Sequence, residues 1–147
     1  MTPPFPDFGP YLTFAEAIRS DTARRKGISN MPTEAQYLRM KAVYEHIYAP
    51  LCREFGKLPV SSFFRSPMVN RAVGGSKSSQ HMKGEAIDID CDGYGRISNK
   101  SLYAYIKANM NFDQLILEYP DAHGNPGWVH VSFVSLTANR KQLITVT

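Results

Sequence analysis

Cysteine is scarce in this chain of 147 residues, which contains only Cys52 and Cys91. Their spacing matches no zinc-binding cysteine motif, so a zinc site built on cysteine is excluded. The two residues fall in segments that we interpret as a helix and a buried strand. We therefore predict free thiols that pack as small apolar groups, and no disulfide.

Long apolar runs are absent as well. No segment reaches the roughly 18 apolar residues that a membrane-spanning helix needs, so we predict no membrane insertion. The first ten residues, MTPPFPDFGP, contain no basic region followed by an apolar stretch. We therefore expect synthesis in the cytoplasm without a signal peptide, and another route of export for any action outside the cell.

Neither sign of charge dominates the chain. Lys and Arg number 17 against 13 Asp and Glu, and the basic residues are scattered along the sequence. They do not alternate with aromatic residues, so we predict no nucleic-acid partner. The small basic excess suits an anionic polymer, or serves solubility alone.

The chain does contain enough apolar sequence for one core. Its length and its 43% of hydrophobic residues suit one domain and leave too little for two. No internal repeat or low-complexity segment divides it. We predict a single domain over residues 1–147, with a helical part at 1–56 and a sheet that carries the candidate site at 57–147.

Helix signals dominate the first part of the chain. A capping box at Thr13 and Glu16 opens one short helix, and Ser20 opens a second. Apolar residues then recur every three or four positions from 33 to 55, which predicts a long helix. Pro50 should kink this helix, since proline lacks a backbone N–H.

Strand signals with a period of two follow. The predicted strands cover residues 58–64, 85–91, 112–119, 128–134 and 141–146, the last one at an edge. Short helices begin at Ser66 and Ser98, and a turn is predicted at residues 92–95. The loop PDAHGNPG predicts an antiparallel hairpin. We therefore predict an α+β domain, an antiparallel sheet with the N-terminal helices packed on one face.

Strand alternation assigns the side chains to two faces of this sheet. The residues predicted to face the core are Ile87, Ile89, Cys91, Leu115, Leu117, Tyr119, Val129, Val131 and Phe133. Asp88, Glu118 and His130 consequently share the opposite face, and His81 enters from the loop just before Asp88. Gly84 would let the backbone turn so that His81 and Asp88 converge.

These side chains suit a catalytic zinc ion. Such sites use three protein ligands and leave one position open for water. Zinc lowers the pKa of that water, and a nearby carboxylate can accept its proton. Any one of these residues alone would more often be a surface or turn group, and the spacing of His81 and Asp88 is weak by itself. The shared face is what favours a metal site.

The same residues carry a family resemblance. The strings SQHMKGEAID (79–88) and WVHVS (128–132) resemble the zinc D-alanyl-D-alanine carboxypeptidase family of peptidoglycan peptidases, especially its phage and prophage members. The similarity extends to FFRSP (63–67), NRAVGG (70–75) and FDQLI (112–116), and to the N-terminal SDTARRKGISN (20–30). It covers most of the chain.

The resemblance implies the fold of the Hedgehog signalling domain and a Zn²⁺ ion held by His81, Asp88 and His130. It also implies that Arg65 points into the site and stabilises the oxyanion or a substrate carboxylate. A guanidinium suits that role because its donors are fixed, although a salt bridge at a strand end is the alternative. Ser79 would line the substrate groove, or bond the backbone of a turn.

One position departs from the family pattern. Many relatives place the catalytic acid three residues before the last histidine, where this chain has Gly127. Glu118 is the downstream acid that strand parity places on the site face, so we predict Glu118 as the catalytic base. Asp121, in the loop, is the alternative.

Other polar residues near the motif have open roles. His123, in the loop, either contacts substrate or is solvated. Trp128 either forms a platform for a stem peptide or packs. Asp90 either orients a histidine or is a hydrogen-bonded structural acid. His46 lies off the apolar stripe of its helix, so we predict that it is not a ligand.

The sequence as a whole predicts a monomeric zinc peptidase of peptidoglycan stem peptides. Its expected activity is D,D-carboxypeptidase or endopeptidase, in a phage or prophage lytic enzyme that reaches the wall after release or as part of a virion. Two alternatives stay open: a zinc-containing module that binds the wall without hydrolysis, and a structural virion component.

Overall fold

Short capped helices open the chain in the computed structural model, which describes residues 5–93 and 97–147. Helix α1 (Phe14–Ala17) begins with the predicted capping box, in which the Thr13 hydroxyl accepts the N–H of Glu16 and the Glu16 carboxylate accepts the N–H of Thr13. Helix α2 (Asp21–Lys26) is capped by Ser20. These two helix starts are confirmed.

The predicted long helix is continuous but changes its winding before the proline. It consists of α3 (Glu34–Val43), a π-helical segment (Tyr44–Tyr48) and α4 (Ala49–Phe55). Pro50 has no N–H, and its ring crowds the carbonyl four residues earlier. The wider π turn, in which Ala49 N–H donates to Tyr44 O, accommodates the ring.

The strands of the described part form one sheet in the order β1-β2-β4-β3-β5. Their bounds are β1 (Val60–Ser62), β2 (Ala86–Ile89), β3 (Gln114–Glu118), β4 (Trp128–Ser132) and β5 (Gln142–Val146). Between them lie α5 (Pro67–Ala72), capped by Ser66, a 3₁₀ turn (Gln80–Lys83) and α6 (Asn99–Asn109), capped by Ser98. The hairpin of β3 and β4 and the edge position of β5 are as predicted.

The prediction of a purely antiparallel sheet is wrong. The pairs β1–β2, β2–β4 and β3–β4 are antiparallel, but β5 runs parallel to β3. Lys141 N–H donates to Phe112 O and Gln142 N–H to Asp113 O, so β5 starts beside the start of β3. Side-chain alternation is the same in both directions and could not reveal this.

One face of the sheet packs against the helices and forms the core. Ile87, Ile89, Leu115, Val129 and Val131 contribute from the strands. Buried side chains from α3, the π-helical segment and α6 contribute from the helices, among them Met40, Ile47, Tyr48, Leu102 and Ile106. The molecule is therefore a single-domain α+β protein, and the second face of the sheet is left for a site.

Tyr119 is an exception to the predicted faces. It follows the end of β3 with a φ of 48° and is 55% exposed, so strand parity does not extend to it. The cysteines follow the prediction, since Cys52 and Cys91 are buried free thiols. Burial raises the pKa of Cys91 to about 11, which keeps this thiol protonated near neutral pH.

Two further predictions concern single segments. The turn predicted at residues 92–95 lies partly outside the described residues. Among the helices that the structure describes, none is both long and apolar enough to cross a bilayer.

Candidate metal centre

Three buried side chains converge on the second face of the sheet: His81, Asp88 and His130. Asp88 in β2 lies directly opposite His130 in β4, so the two side chains are cross-strand neighbours on one face. His81 enters from the 3₁₀ turn that precedes β2. The candidate ligand atoms of the three residues lie within 4.8 Å of one another.

The 3₁₀ turn that carries His81 is fixed from several sides. The Ser79 hydroxyl caps it by accepting the N–H of His81, and Gly84 closes it with a φ of 76°. The Gln36 side chain of α3 donates to Met82 O. A Cβ at Gly84 would lie 2.5 Å from the carbonyl oxygen of Gln36, so the turn and the helix are in close contact.

The orientation of His81 leaves one ring nitrogen for a ligand bond. His81 Nδ1 lies 2.6 Å from Phe63 O, and because a carbonyl only accepts, Nδ1 carries the proton. Its Nε2 then faces Asp88 Oδ2 at 3.1 Å. On the other side, His130 Nδ1 lies 3.0 Å from Asp88 Oδ1. A backbone acceptor that fixes the histidine tautomer is common behind metal ligands.

The electrostatics of Asp88 fit a cation. Burial raises the pKa of Asp88, but the adjacent histidines outweigh burial and hold the pKa of this carboxyl well below its ordinary value. Within the described part of the chain, the buried Asp88 Oδ1 accepts no well-aligned hydrogen bond. Two imidazole nitrogens and one carboxylate oxygen are a donor set typical of catalytic zinc. The residues present therefore fit this ion.

A cavity of about 380 Å³ lies beside the three residues. Its lining includes Arg65, Ser79, Glu118 and Trp128, four of the residues predicted for the site. Their catalytic and binding roles remain predictions. These four side chains therefore line the same cavity as His81, Asp88 and His130.

Glu118 reaches the cavity through the alternation of β3, together with Gln114 and Ile116. Its backbone pairs with Trp128 across the hairpin. Burial raises the pKa of Glu118 and Asp88 raises it further, while His130 and Arg65 lower it, and the net change is upward. A carboxylate with a raised pKa is a better proton acceptor than an ordinary glutamate.

Arg65 follows β1 and faces the same cavity. Its backbone N–H donates to His81 O at 3.2 Å, and its Nη2 lies 3.4 Å from Ser79 Oγ. Burial lowers the pKa of Arg65, while the negative charges of Asp88 and Glu118 raise it. An arginine stays protonated in proteins, so the guanidinium supplies fixed positive charge beside the site.

The structure does not bring the two predicted residues of the loop between β3 and β4 into the cavity. His123 and Asp121 are exposed, and neither is among the lining residues. Asp121 Oδ1 accepts the N–H groups of Asn125 and His123, which lower the pKa of Asp121. Its carboxylate thus closes the loop, which argues against Asp121 as the base.

Two other polar residues have local contacts. Asp90 Oδ1 accepts hydrogen bonds from Asn99 Nδ2 and from the N–H of Asp92, so Asp90 acts as a structural acid. His46 is exposed and stacks on Phe133 with 4.6 Å between the ring centroids. Neither residue contacts the candidate metal ligands.

Sequence reasoning missed part of the lining, namely Ser76, Ser78 and Gln80. Their position between Gly75 and His81 was the available signal, because a loop that ends at a metal ligand must pass the site. Alternation did place Gln114 and Ile116 on the site face, but nothing in the sequence suggested a function for them.

Comparison with known proteins agrees with this geometry. The sequence model of the family described as Peptidase M15 matches residues 10–132, which is well over half of the chain. The chain belongs to the peptidase M15 family. The matched segment includes His81, Asp88, His130, Arg65 and Glu118. No curated protein matches the chain. Peptidases of the M15 family use zinc, and the buried His81–Asp88–His130 group can hold that ion.

Proposed function

We propose that this M15 peptidase hydrolyses peptide bonds involving D-amino acids in the stem peptides of bacterial peptidoglycan. The observation that carries the proposal is the buried group of His81, Asp88 and His130 beside a cavity that also contains Glu118 and Arg65. The resemblance of residues 79–88 and 128–132 to the D-alanyl-D-alanine carboxypeptidases supports this class of substrate.

His81, Asp88 and His130 would hold the zinc ion, which, when bound, supplies an acidified water and polarises the scissile carbonyl. In the proposed mechanism Glu118 accepts a proton from the attacking water and passes it to the leaving amine. Arg65 donates to the oxyanion or to a carboxylate of the substrate. Ser79 and Trp128 line the groove that would orient the peptide.

We also propose where the enzyme acts. The similarity to phage and prophage members favours a lytic enzyme that reaches the cell wall after release or as part of a virion. The scattered basic residues are compatible with an anionic wall polymer.

Defined muropeptides test the proposal. The purified protein should release new amino groups from stem peptides, and mass spectrometry of the products should identify the bond that is cut. A chelator should abolish the release, and added zinc should restore it. Stem peptides that stay intact with zinc-loaded protein would overturn the proposal.

A second candidate function is a wall-binding module without hydrolysis. The observation that favours it is Gly127 in place of the acid that many relatives carry. The Gly127 N–H donates to Glu118 O, so only its backbone contacts the proposed base. Tight binding to isolated walls without release of amino groups, by zinc-loaded protein, would establish this alternative.

A further inference from the structure

The Arg65 guanidinium makes few hydrogen bonds of its own in the cavity. Its Nη2 makes a long hydrogen bond of 3.4 Å to Ser79 Oγ. Its buried Nε has no acceptor among the residues described. An arginine side chain loses rotamer entropy when it is fixed. Other groups must therefore confine Arg65 if its donors are to meet a developing charge in one geometry.

Asn70 in α5 is a buried polar residue that is a candidate for confining Arg65. It is 3% exposed, and its Nδ2 donates to Ser76 O at 2.9 Å. Because a carbonyl only accepts, this bond fixes which amide atom is nitrogen and turns Oδ1 to the other side. In the described part of the chain, Asn70 Oδ1 is buried and receives no hydrogen bond.

Gly75 shows where this oxygen points. A Cβ built on Gly75 would lie 2.1 Å from Asn70 Oδ1 and 3.2 Å from Arg65 Nη1. Asn70 Oδ1 and Arg65 Nη1 therefore both lie close to the Cα of Gly75. No side chain larger than hydrogen fits there unless the Asn70 amide moves, so the position requires glycine for space.

A second route connects Asn70 with Arg65 through the loop. Ser76 O accepts both Asn70 Nδ2 and the N–H of Ser79, and Ser79 Oγ is the contact of Arg65 Nη2. The N–H of Gly75 also donates to Asn70 O. Asn70 thus holds the loop whose Ser79 contacts the guanidinium, and its Oδ1 lies near the same Gly75 Cα as Arg65 Nη1.

We propose that Asn70 and Gly75 are positioning residues that hold the Arg65 guanidinium in its reactive orientation. The catalytic importance of Arg65 rests on the proposed function, whereas the positioning itself does not. Asn70→Ala removes the hydrogen bond to Ser76 O and the amide oxygen near Arg65. Gly75→Ala forces the Asn70 amide to move without changing any residue of α5.

A double-mutant cycle tests the proposal kinetically. Asn70→Ala and Gly75→Ala should each lower kcat/KM on muropeptides by about 10- to 100-fold, a loss as large as that for residues that orient metal ligands. In an Arg65→Ala background the same changes should cost no more than about 2-fold, because the group they position is gone. Equal losses in both backgrounds would overturn the proposal.

Controls separate positioning from folding. Zinc content should stay close to that of the parent protein, and each variant should still unfold cooperatively in denaturant. Asn109→Ala, which removes an exposed Asn of α6 with one backbone bond, should leave kcat/KM unchanged. If Asn70→Ala does not fold, Gly75→Ala with Arg65→Ala completes the cycle alone.

A spectroscopic measurement remains decisive even if no muropeptide is cleaved. Hydrogen exchange of the Arg65 Nε–H, followed by NMR of protein with labelled arginine, reports how firmly the guanidinium is held. Both variants should speed this exchange by about 10-fold or more, as expected for a local opening. Unchanged exchange in both would overturn the positioning role, whereas inactivity of the parent protein would overturn only the proposed function.

Discussion

Asp88 lies between two imidazoles, so each of its oxygens faces one ring nitrogen. This geometry follows from the register Asp88↔His130 and from the 3₁₀ turn that places His81 before β2. Strand parity was enough to predict that Asp88, His130 and Glu118 share a face. It could not predict a role for Asn70 or Gly75, because their position near Arg65 depends on how the loop after α5 folds back.

Removal of any one of the three side chains should empty the metal site. His81→Ala, Asp88→Ala and His130→Ala should each lose most bound zinc, because two remaining protein ligands make an incomplete site. Zinc per chain can be measured by atomic emission on purified protein. His46→Ala is the matched control, since His46 is exposed and only stacks on Phe133. Near-stoichiometric zinc in all three variants would contradict the assignment.

Glu118→Gln should separate proton transfer from metal binding. Glutamine keeps the size of the side chain but cannot accept a proton from water, so activity should fall by roughly 10²- to 10⁴-fold. Zinc content and folding should be retained. The comparison is Asp121→Asn, which should have a much smaller effect because Asp121 is exposed in the loop. Near-parental cleavage by Glu118→Gln with an inactive Asp121→Asn would place the base in the loop.

At the scale of single elements, local signals predicted the starts of most helices. Thr13, Ser20, Ser66 and Ser98 each accept a backbone N–H from the first turn that follows, as a cap does. The 3₁₀ turn at Gln80–Lys83 was not predicted as an element. Its conformation depends on contacts with α3, which lies far away in the sequence.

The contact between this turn and α3 gives a prediction on stability. Gly84 has a φ of 76°, and an added Cβ would also overlap the carbonyl oxygen of Gln36. Gly27 has a similar φ of 64°, but nothing lies within 4 Å of its Cβ position. Gly27→Ala should therefore lower the free energy of unfolding by about 1–2 kcal/mol through backbone strain alone.

Gly84→Ala should cost at least about 1 kcal/mol more than Gly27→Ala, because overlap adds to strain. Urea unfolding of the metal-free proteins measures both without a contribution from bound zinc. Equal destabilisation would show that the turn can move away from α3 without cost.

At the scale of the whole molecule, the apolar pattern predicted one α+β core but not the direction of β5. The deciding contacts are tertiary. Asp113, which is 1% exposed, accepts hydrogen bonds from the backbone and guanidinium of Arg140 and from Gln80 Nε2. One buried carboxylate thereby joins the start of β3, the segment before β5 and the turn that carries His81. Periodicity and local sequence signals cannot show that these three segments lie together.

The pH dependence of stability should report this buried carboxylate. Hydrogen bonds from Arg140 lower the pKa of Asp113 from 3.8 to about 2, so the folded state favours the ionised form. The resulting stability is fully present above the ordinary pKa and is lost as the pH falls from 3.8 towards 2. Asp113→Asn should therefore lower the free energy of unfolding by about 2 kcal/mol at neutral pH, and the difference from the parent protein should shrink through that window. Urea titrations of metal-free protein at a series of pH values measure this difference in the free energy of unfolding.

Asp21→Asn is the control. It breaks an exposed ion pair with Arg24 and should change the free energy of unfolding little. A difference that stays constant down to the lowest pH would show that Asp113 stabilises the fold by packing and not by its charge.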